Sequence, residues 1–329
     1  MTKVGVVGVG SMGRNHARVL SEMGALAGVA DLDAKARNEV AAKFGVKGYS
    51  DFREMLPHVD ALVVAAPTAM HRQTAVEAME AGKHVLCEKP IAASIEDGRA
   101  MLRAAEKAGV VLAVGMIERH NPVVAFAKEA LANGRFGELV SLSARRVSSM
   151  PGRIRDVGCV LDLGIHDIDV MRYLVGAPVR SVYALGGRHS NAPFEDHADV
   201  LIEFADGKTG ISQTNWLTPM KVRKLSLTCM RNFVELDYMT QGVTISSSQF
   251  MALDQGDLFH APLEFDIRNI SLKKQEPLKN ELGDFLAAVK TGGAPLVSGA
   301  EGLESMRVAL AAIESSAKKV KIDMDNFGG

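Results

Sequence analysis

The sequence predicts an α/β chain with two parts: an N-terminal doubly wound parallel sheet, then an α+β domain with an open, mostly antiparallel sheet. Three observations carry this expectation. Apolar runs such as Val4-Gly5-Val6-Val7 and Val110-Val111-Leu112-Ala113-Val114 are uninterrupted, as in strands buried on both faces. Segments of helical periodicity separate these runs. From about Glu138 the runs give way to apolar–polar alternation broken by turns, the texture of strands with one wet face. The boundary is placed at residues 1–120 and 121–329, with the C-terminal helices free to pack back on the first domain.

Composition narrows the classes of function. Apolar residues make up 47% and charged residues 23%, an ordinary globular balance. Net charge is −1, so no bulk field favours nucleic acid or an anionic membrane, and neither is expected as a partner. No apolar run is long enough to span a bilayer. Cys87, Cys159 and Cys229 lie far apart, which suits a reducing compartment and offers neither a disulfide framework nor a zinc site. A strand-like run already begins by Lys3, so no signal peptide is expected and the cytoplasm is the expected location.

Taken in order, the first strand runs into Gly8-Val9-Gly10-Ser11-Met12-Gly13, a full G-x-G-x-x-G. An amphipathic helix follows, with Ala17, Leu20 and Met23 on one stripe and Gly24 at its end. Leu26-Ala27-Gly28-Val29-Ala30 is the next strand and closes on Asp31. This is the dinucleotide fingerprint in its required context. Gly8 permits the tight turn, Gly10 lets backbone N–H groups approach a pyrophosphate, and Gly13 lets the helix pack close. Ser11 and Met12 open the helix whose dipole faces the anion. Asp31 falls where a carboxylate accepts hydrogen bonds from a ribose diol, and it repels a 2′-phosphate; NAD is therefore expected rather than NADP, with Lys35 and Arg37 nearby as the counter-argument.

Ala61 to Ala66 forms another buried strand cut off by Pro67, with Thr68 as helix N-cap and His71 in the first turn. His84-Val85-Leu86-Cys87-Glu88 runs directly into Lys89-Pro90, where proline ends the pairing. Ser94 caps a helix from Ile95 to Ala108. Pro67, Thr68, His71, Glu88 and Lys89 thus follow strand ends on the cofactor's side of the sheet.

In the second part, Val200, Ile202 and Phe204 lead to a hairpin at Asp206-Gly207, and Leu225–Cys229 turns at Arg231-Asn232 into Val234 and Leu236. One helix, from Val160 to Leu174, sets Leu161, Ile165, Ile168 and Met171 on a core stripe and Asp162, His166 and Asp169 on another face. That face reads as a solvated stripe, a metal site short of ligands, or a general base in which Asp162 orients His166. No metal is expected. Two final helices carry Leu282, Phe285, Leu286, Val289 and Leu303, Met306, Leu310, Ile313 as core stripes.

The glycine turn, Asp31, Glu88-Lys89-Pro90 and Asp162-x-x-x-His166 together resemble the Gfo/Idh/MocA oxidoreductase family over essentially the whole length. The resemblance implies a Rossmann domain binding NAD(P) and a second domain with an open sheet, the substrate lying between them. It implies Lys89, Asp162 and His166 as catalytic residues, a cis peptide before Pro90, and homodimers or homotetramers through the open sheet face. Glu118–Pro122 and Pro151–Asp156 are similar to segments of the branch acting on UDP-N-acetylglucosamine and related UDP-N-acetylhexosamines at C3. That likeness points to Asn121, Arg153 and Arg155 as substrate contacts, the arginines as bidentate partners of a diphosphate. An inositol or free-monosaccharide dehydrogenase is the alternative within the family, and a dinucleotide sensor without turnover the alternative outside enzymes. Which of Lys89 and His166 accepts the proton stays open.

Overall fold

The computed structural model describes residues 2–150, 157–190, 193–249 and 264–328. The chain divides into two compact units, one of residues 1–120, 276–307 and 328, the other of residues 121–275, 308–327 and 329.

In the first unit the elements alternate: β1 Val4–Val7, α1 Ser11–Glu22, β2 Leu26–Ala30, α2 Ala34–Phe44, β3 Lys47–Tyr49, β4 Ala61–Val64, α3 Thr68–Glu80, β5 His84–Glu88, α4 Ile95–Ala108 and β6 Leu112–Gly115. The sheet is parallel throughout, in the order β3-β2-β1-β4-β5-β6. β1 lies at its centre, with Val6 paired to Val29 on one side and Val63 on the other. That order reverses direction between β1 and β4, which is where such sheets bind ligands. β1, β4 and β6 are buried along their whole length, which is why their sequences do not alternate. β3 has only three residues, too few for a recognisable run.

The second unit runs α5 Pro122–Ala132, β7 Leu139–Ser149, a π-helical turn Val160–Gly164 continuing into α6 Ile165–Val175, then β8 Val179–Gly187, β9 His197–Phe204, β10 Thr209–Asn215, β11 Leu217–Cys229, β12 Phe233–Asp237, β13 Gly242–Gln249 and β14 Glu264–Ser271. After α7 Pro277–Thr291 and α8 Gly299–Lys318, the two-residue strand β15 Ile322–Asp323 closes the sheet edge. The order is β14-β13-β12-β11-β7-β10-β9-β8-β15, and only the β7–β10 pairing is parallel.

A bulge opposite Cys229 shifts the register of β7 after Leu139. Leu139 is therefore buried beside exposed Val140, while Leu142 and Ala144 resume the inward face. α6 packs against β7 and β10, where a Cβ on Gly210 would stand 2.8 Å from Met171 Sδ. Leu201 and Ile211, paired across β9 and β10, stay exposed.

α7 belongs to the core of the first unit: Leu278, Leu282 and Phe285 pack in one cluster with Val4, Leu20 and Val63. Its C-cap, Gly292, takes φ 68°, a left-handed conformation that glycine adopts at no steric cost.

Candidate active site

The glycine turn is built by exclusion. Gly8 has φ +84°, and a Cβ there would meet the Ala65 and Ala66 backbone at 2.7 Å. A Cβ on Gly13 would stand 1.8 Å from the Gly8 carbonyl oxygen, so only glycine lets α1 approach β1 this closely. A Cβ on Gly10 would meet nothing within 4 Å, so its absence clears space toward a ligand. Gly10 is the N-cap of α1 and supplies no side-chain cap. The N–H groups of Ser11, Met12 and Gly13 have no intrahelical acceptor and mark the positive end of the helix dipole.

Asp31 faces that turn. Its Oδ2 accepts from the Val9 N–H at 2.7 Å and its Oδ1 from the Asp33 N–H at 2.9 Å. Beside it lies a cavity of about 490 Å³ lined by Gly8, Asp31, Leu32, Phe52, Pro67 and Met70, among others. Leu32 is 88% exposed at this edge, an apolar side chain that gains from a partner. Apolar walls with Asp31 and other polar side chains among them match an adenosine, and the open cradle at Gly10 matches a pyrophosphate, so these residues fit NAD. Arg37 donates from Nη1 to the Asp31 carbonyl oxygen at 2.8 Å, which commits it to backbone.

The next two strand ends complete this side. α3 begins at Thr68 with Pro67 as its N-cap residue, one position earlier than the cap expected from sequence. His71, expected as a cofactor contact, is buried with Nδ1 2.9 Å from the Pro90 carbonyl and Nε2 2.8 Å from the Ala66 carbonyl. The ring stands between these two carbonyls, with an N–H to donate to carbonyl oxygen, and so packs the loop after β4 against the loop after β5. The Lys89–Pro90 peptide is cis.

Glu88 points inward. Its Oε1 accepts from His16 Nε2 at 2.6 Å and its Oε2 from the Lys89 N–H at 3.3 Å. Burial alone would raise its pKa, but the hydrogen bond with His16 and the Lys89 charge outweigh burial and lower it. Glu281, on α7, is buried among the same elements; burial, reinforced by the charges of Glu88 and Asp284, pushes its carboxyl well above the usual range. Sequence reasoning named neither His16 nor Glu281.

In the second unit, Asp162 sits in the π turn and His166 in the first turn of α6. Asp162 and Asp169 are both buried, which removes the solvated-stripe reading. Leu161 is half-buried while Asp167 is buried, so polar residues occupy positions expected to be apolar or exposed. Asp167 is the ion partner of Arg146, with Oδ1 3.0 Å from Nε and 2.9 Å from Nη2. The guanidinium carbon lies 5.0 Å from the Tyr238 ring centroid. Glu195 accepts from the Val160 N–H at 3.1 Å, capping the start of the segment that carries Asp162 and His166.

Asn121, expected as a substrate contact, makes two hydrogen bonds to backbone. Its Oδ1 accepts from the Val123 N–H at 3.4 Å as the N-cap of α5, and its Nδ2 donates to the Tyr238 carbonyl at 3.1 Å. Arg153 and Arg155 lie outside the described residues. Among the described residues, no group of three or more His, Cys, Asp or Glu side chains could hold a metal ion, and no helix is long and apolar enough to cross a membrane.

A parallel six-stranded sheet with a glycine turn, a carboxylate tied to that turn and a lysine directly after β5 is the frame of a dinucleotide-dependent oxidoreductase. The chain belongs to the Gfo/Idh/MocA family: residues 2–116 match its oxidoreductase family domain, an NAD-binding Rossmann fold, and residues 124–233 match its C-terminal domain. It is an NAD-dependent dehydrogenase acting on CH–OH.

Among its relatives is the UDP-N-acetylglucosamine 3-dehydrogenase of Acidithiobacillus ferrooxidans, 30% identical over 94% of this chain and 95% of that protein. The myo-inositol 2-dehydrogenase of Thermotoga maritima is 28% identical over 99% of this chain and 100% of that protein. A solved structure of the Acidithiobacillus ferrooxidans enzyme superposes with a TM-score of 0.86 at 27% identity, covering 95% of this chain and 97% of that one.

Proposed function

We propose that this protein oxidises a secondary hydroxyl of a sugar, the C3 hydroxyl of UDP-N-acetylglucosamine or a related UDP-N-acetylhexosamine. The observation that carries the reading is the Glu88-Lys89-Pro90 corner. It places an ammonium at the carboxyl end of β5, on the strand-end side that holds the cofactor cradle in the same unit. The substrate is drawn from likeness to the UDP-N-acetylglucosamine 3-dehydrogenase, which extends over 94% of the chain.

In oxidation the carbon gives up a hydride and its oxygen a proton, leaving a ketone. NAD, when bound, supplies the hydride acceptor. Asp31 holds the adenosine ribose, and the N–H groups of the glycine turn hold the pyrophosphate. Lys89 donates a hydrogen bond to the reacting hydroxyl, and its charge favours the developing alkoxide. His166 accepts the proton, with Asp162 orienting the ring. Arg153 and Arg155 supply charge for the substrate diphosphate.

A second reading is an inositol dehydrogenase, supported by the relative that matches over 99% of the chain. NADH formation with UDP-N-acetylglucosamine and with myo-inositol, each at saturating NAD, separates the two. A higher kcat/KM for the nucleotide sugar supports the first reading; activity on myo-inositol with no gain from a UDP group supports the second. The exposed face of the open sheet, where Leu201 and Ile211 lie side by side, is proposed to bind a second copy of the chain. A monomeric mass by light scattering at working concentration would contradict that assignment.

A further inference from the structure

A buried side-chain hydrogen bond joins the helix that opens the cofactor cradle to β5, the strand that Lys89 follows. His16 lies on α1, one turn beyond Ser11, Met12 and Gly13, and its side chain is fully buried. Its Nε2 donates to Glu88 Oε1 at 2.6 Å, across 72 positions of sequence. The other oxygen of the same carboxylate accepts from the backbone N–H of Lys89 at 3.3 Å.

The surroundings hold the carboxylate in that bridging position. A Cβ on Gly115, the β6 partner of Glu88, would stand 3.2 Å from Glu88 Oε2, so glycine there leaves room for the carboxylate and little more. Glu281 of α7 is buried nearby, and neither of its oxygens has a hydrogen-bond partner. It makes no hydrogen bond to Glu88 in place of His16.

We propose that His16 is a positioning residue for the reaction: through Glu88 it fixes the peptide that carries Lys89 relative to the helix that holds the cofactor pyrophosphate. A buried histidine with a purely structural part would support folding but leave Lys89 indifferent to its chemistry. A tether makes two things depend on a donor at His16: the environment of the Lys89 side chain and the rate of the chemical step. A misplacement of about 1 Å at such a group lowers turnover about 100-fold. The inference rests on the reading of Lys89 as a catalytic group.

The test uses the full-length chain with His16→Leu, His16→Asn or His16→Gln. Two readouts need no sugar: NADH affinity by fluorescence titration, and the ¹³C resonance of reductively methylated Lys89 in the NADH complex, assigned by its absence in Lys89→Ala. Turnover is followed with UDP-N-acetylglucosamine and myo-inositol as probes. In His16→Leu and His16→Asn the Lys89 resonance is expected to move. Their kcat is expected to fall about 10- to 100-fold, with KM and NADH affinity within about threefold. His16→Gln, which still offers an N–H toward Glu88, restores the resonance and most of kcat.

Should His16→Leu fail to fold, His16→Asn decides, because it keeps a polar group but ends short of Glu88. An unmoved Lys89 resonance in folded His16→Asn overturns the tether, as does an equal loss in His16→Gln. A wild-type protein that turns over neither probe, with the resonance still responding to His16, contradicts the substrate reading and supports the tether.

Discussion

Asp31 and Val9 are joined across the mouth of the glycine turn, the Asp31 carboxylate accepting the Val9 N–H at 2.7 Å. One oxygen thus fixes the turn, while remaining lone pairs on both oxygens are available to a ribose diol. Asp31→Ala is expected to weaken NAD binding about 10- to 100-fold, the equivalent of losing hydrogen bonds to a charged group at about 1.5–3 kcal/mol. It should also reduce discrimination against NADP, since the repelling charge is gone. Parallel titrations with both cofactors check this; an unchanged NAD-to-NADP ratio would separate Asp31 from the ribose.

Gly13→Ala tests the close approach of α1. Its Cβ would overlap the Gly8 carbonyl oxygen at 1.8 Å, and backbone cannot rotate away as a side chain can. The expected outcome is a loss of about 1–3 kcal/mol in denaturant unfolding together with lost NAD affinity. Gly10→Ala meets nothing in the protein itself, so its stability should be nearly unchanged while NAD affinity falls.

The Arg146–Asp167 pair is fully buried in the second unit. Asp167→Ala removes the carboxylate that faces the Arg146 guanidinium in the core and is expected to cost about 3–5 kcal/mol. Replacing both by apolar residues of similar volume should recover most of that loss. Urea unfolding of the single and double variants reads it directly.

Two buried groups set opposite limbs of the stability–pH curve. Burial lowers the His120 pKa from 6.5 to about 4. Its contribution is therefore present above about pH 6.5 and lost as pH falls toward about 4. Burial raises Glu281 above its ordinary 4.5, so its contribution is present below about 4.5 and lost as pH rises through the folded value. Melting temperatures across pH should show a flatter acid limb for His120→Phe and a smaller alkaline loss for Glu281→Gln.

Why some of this was legible in the chain and some was not follows from range. The glycine turn, Asp31 and Lys89 could be read because each is local: a turn that requires glycine, a strand that ends on an acid, a proline that stops pairing. His16–Glu88 spans 72 positions and Arg146–Asp167 spans 21, and nothing in local periodicity marks such partners. Asn121 and His71 carry residue types common in sites, yet their side chains satisfy buried backbone. The bulge at Leu139 and the π turn before α6 disturb a pattern only locally: Leu139 turns inward and Leu161 is half-buried, while Ile165, Ile168 and Met171 keep the core stripe beyond the turn.

Catalysis by Lys89 is tested most directly by NADH formation from UDP-N-acetylglucosamine with wild type and Lys89→Ala at saturating NAD. Wild type should turn over, and Lys89→Ala should lose about 10²- to 10⁴-fold in kcat while binding NAD within a few-fold of wild type. Turnover by Lys89→Ala at the wild-type rate would contradict it.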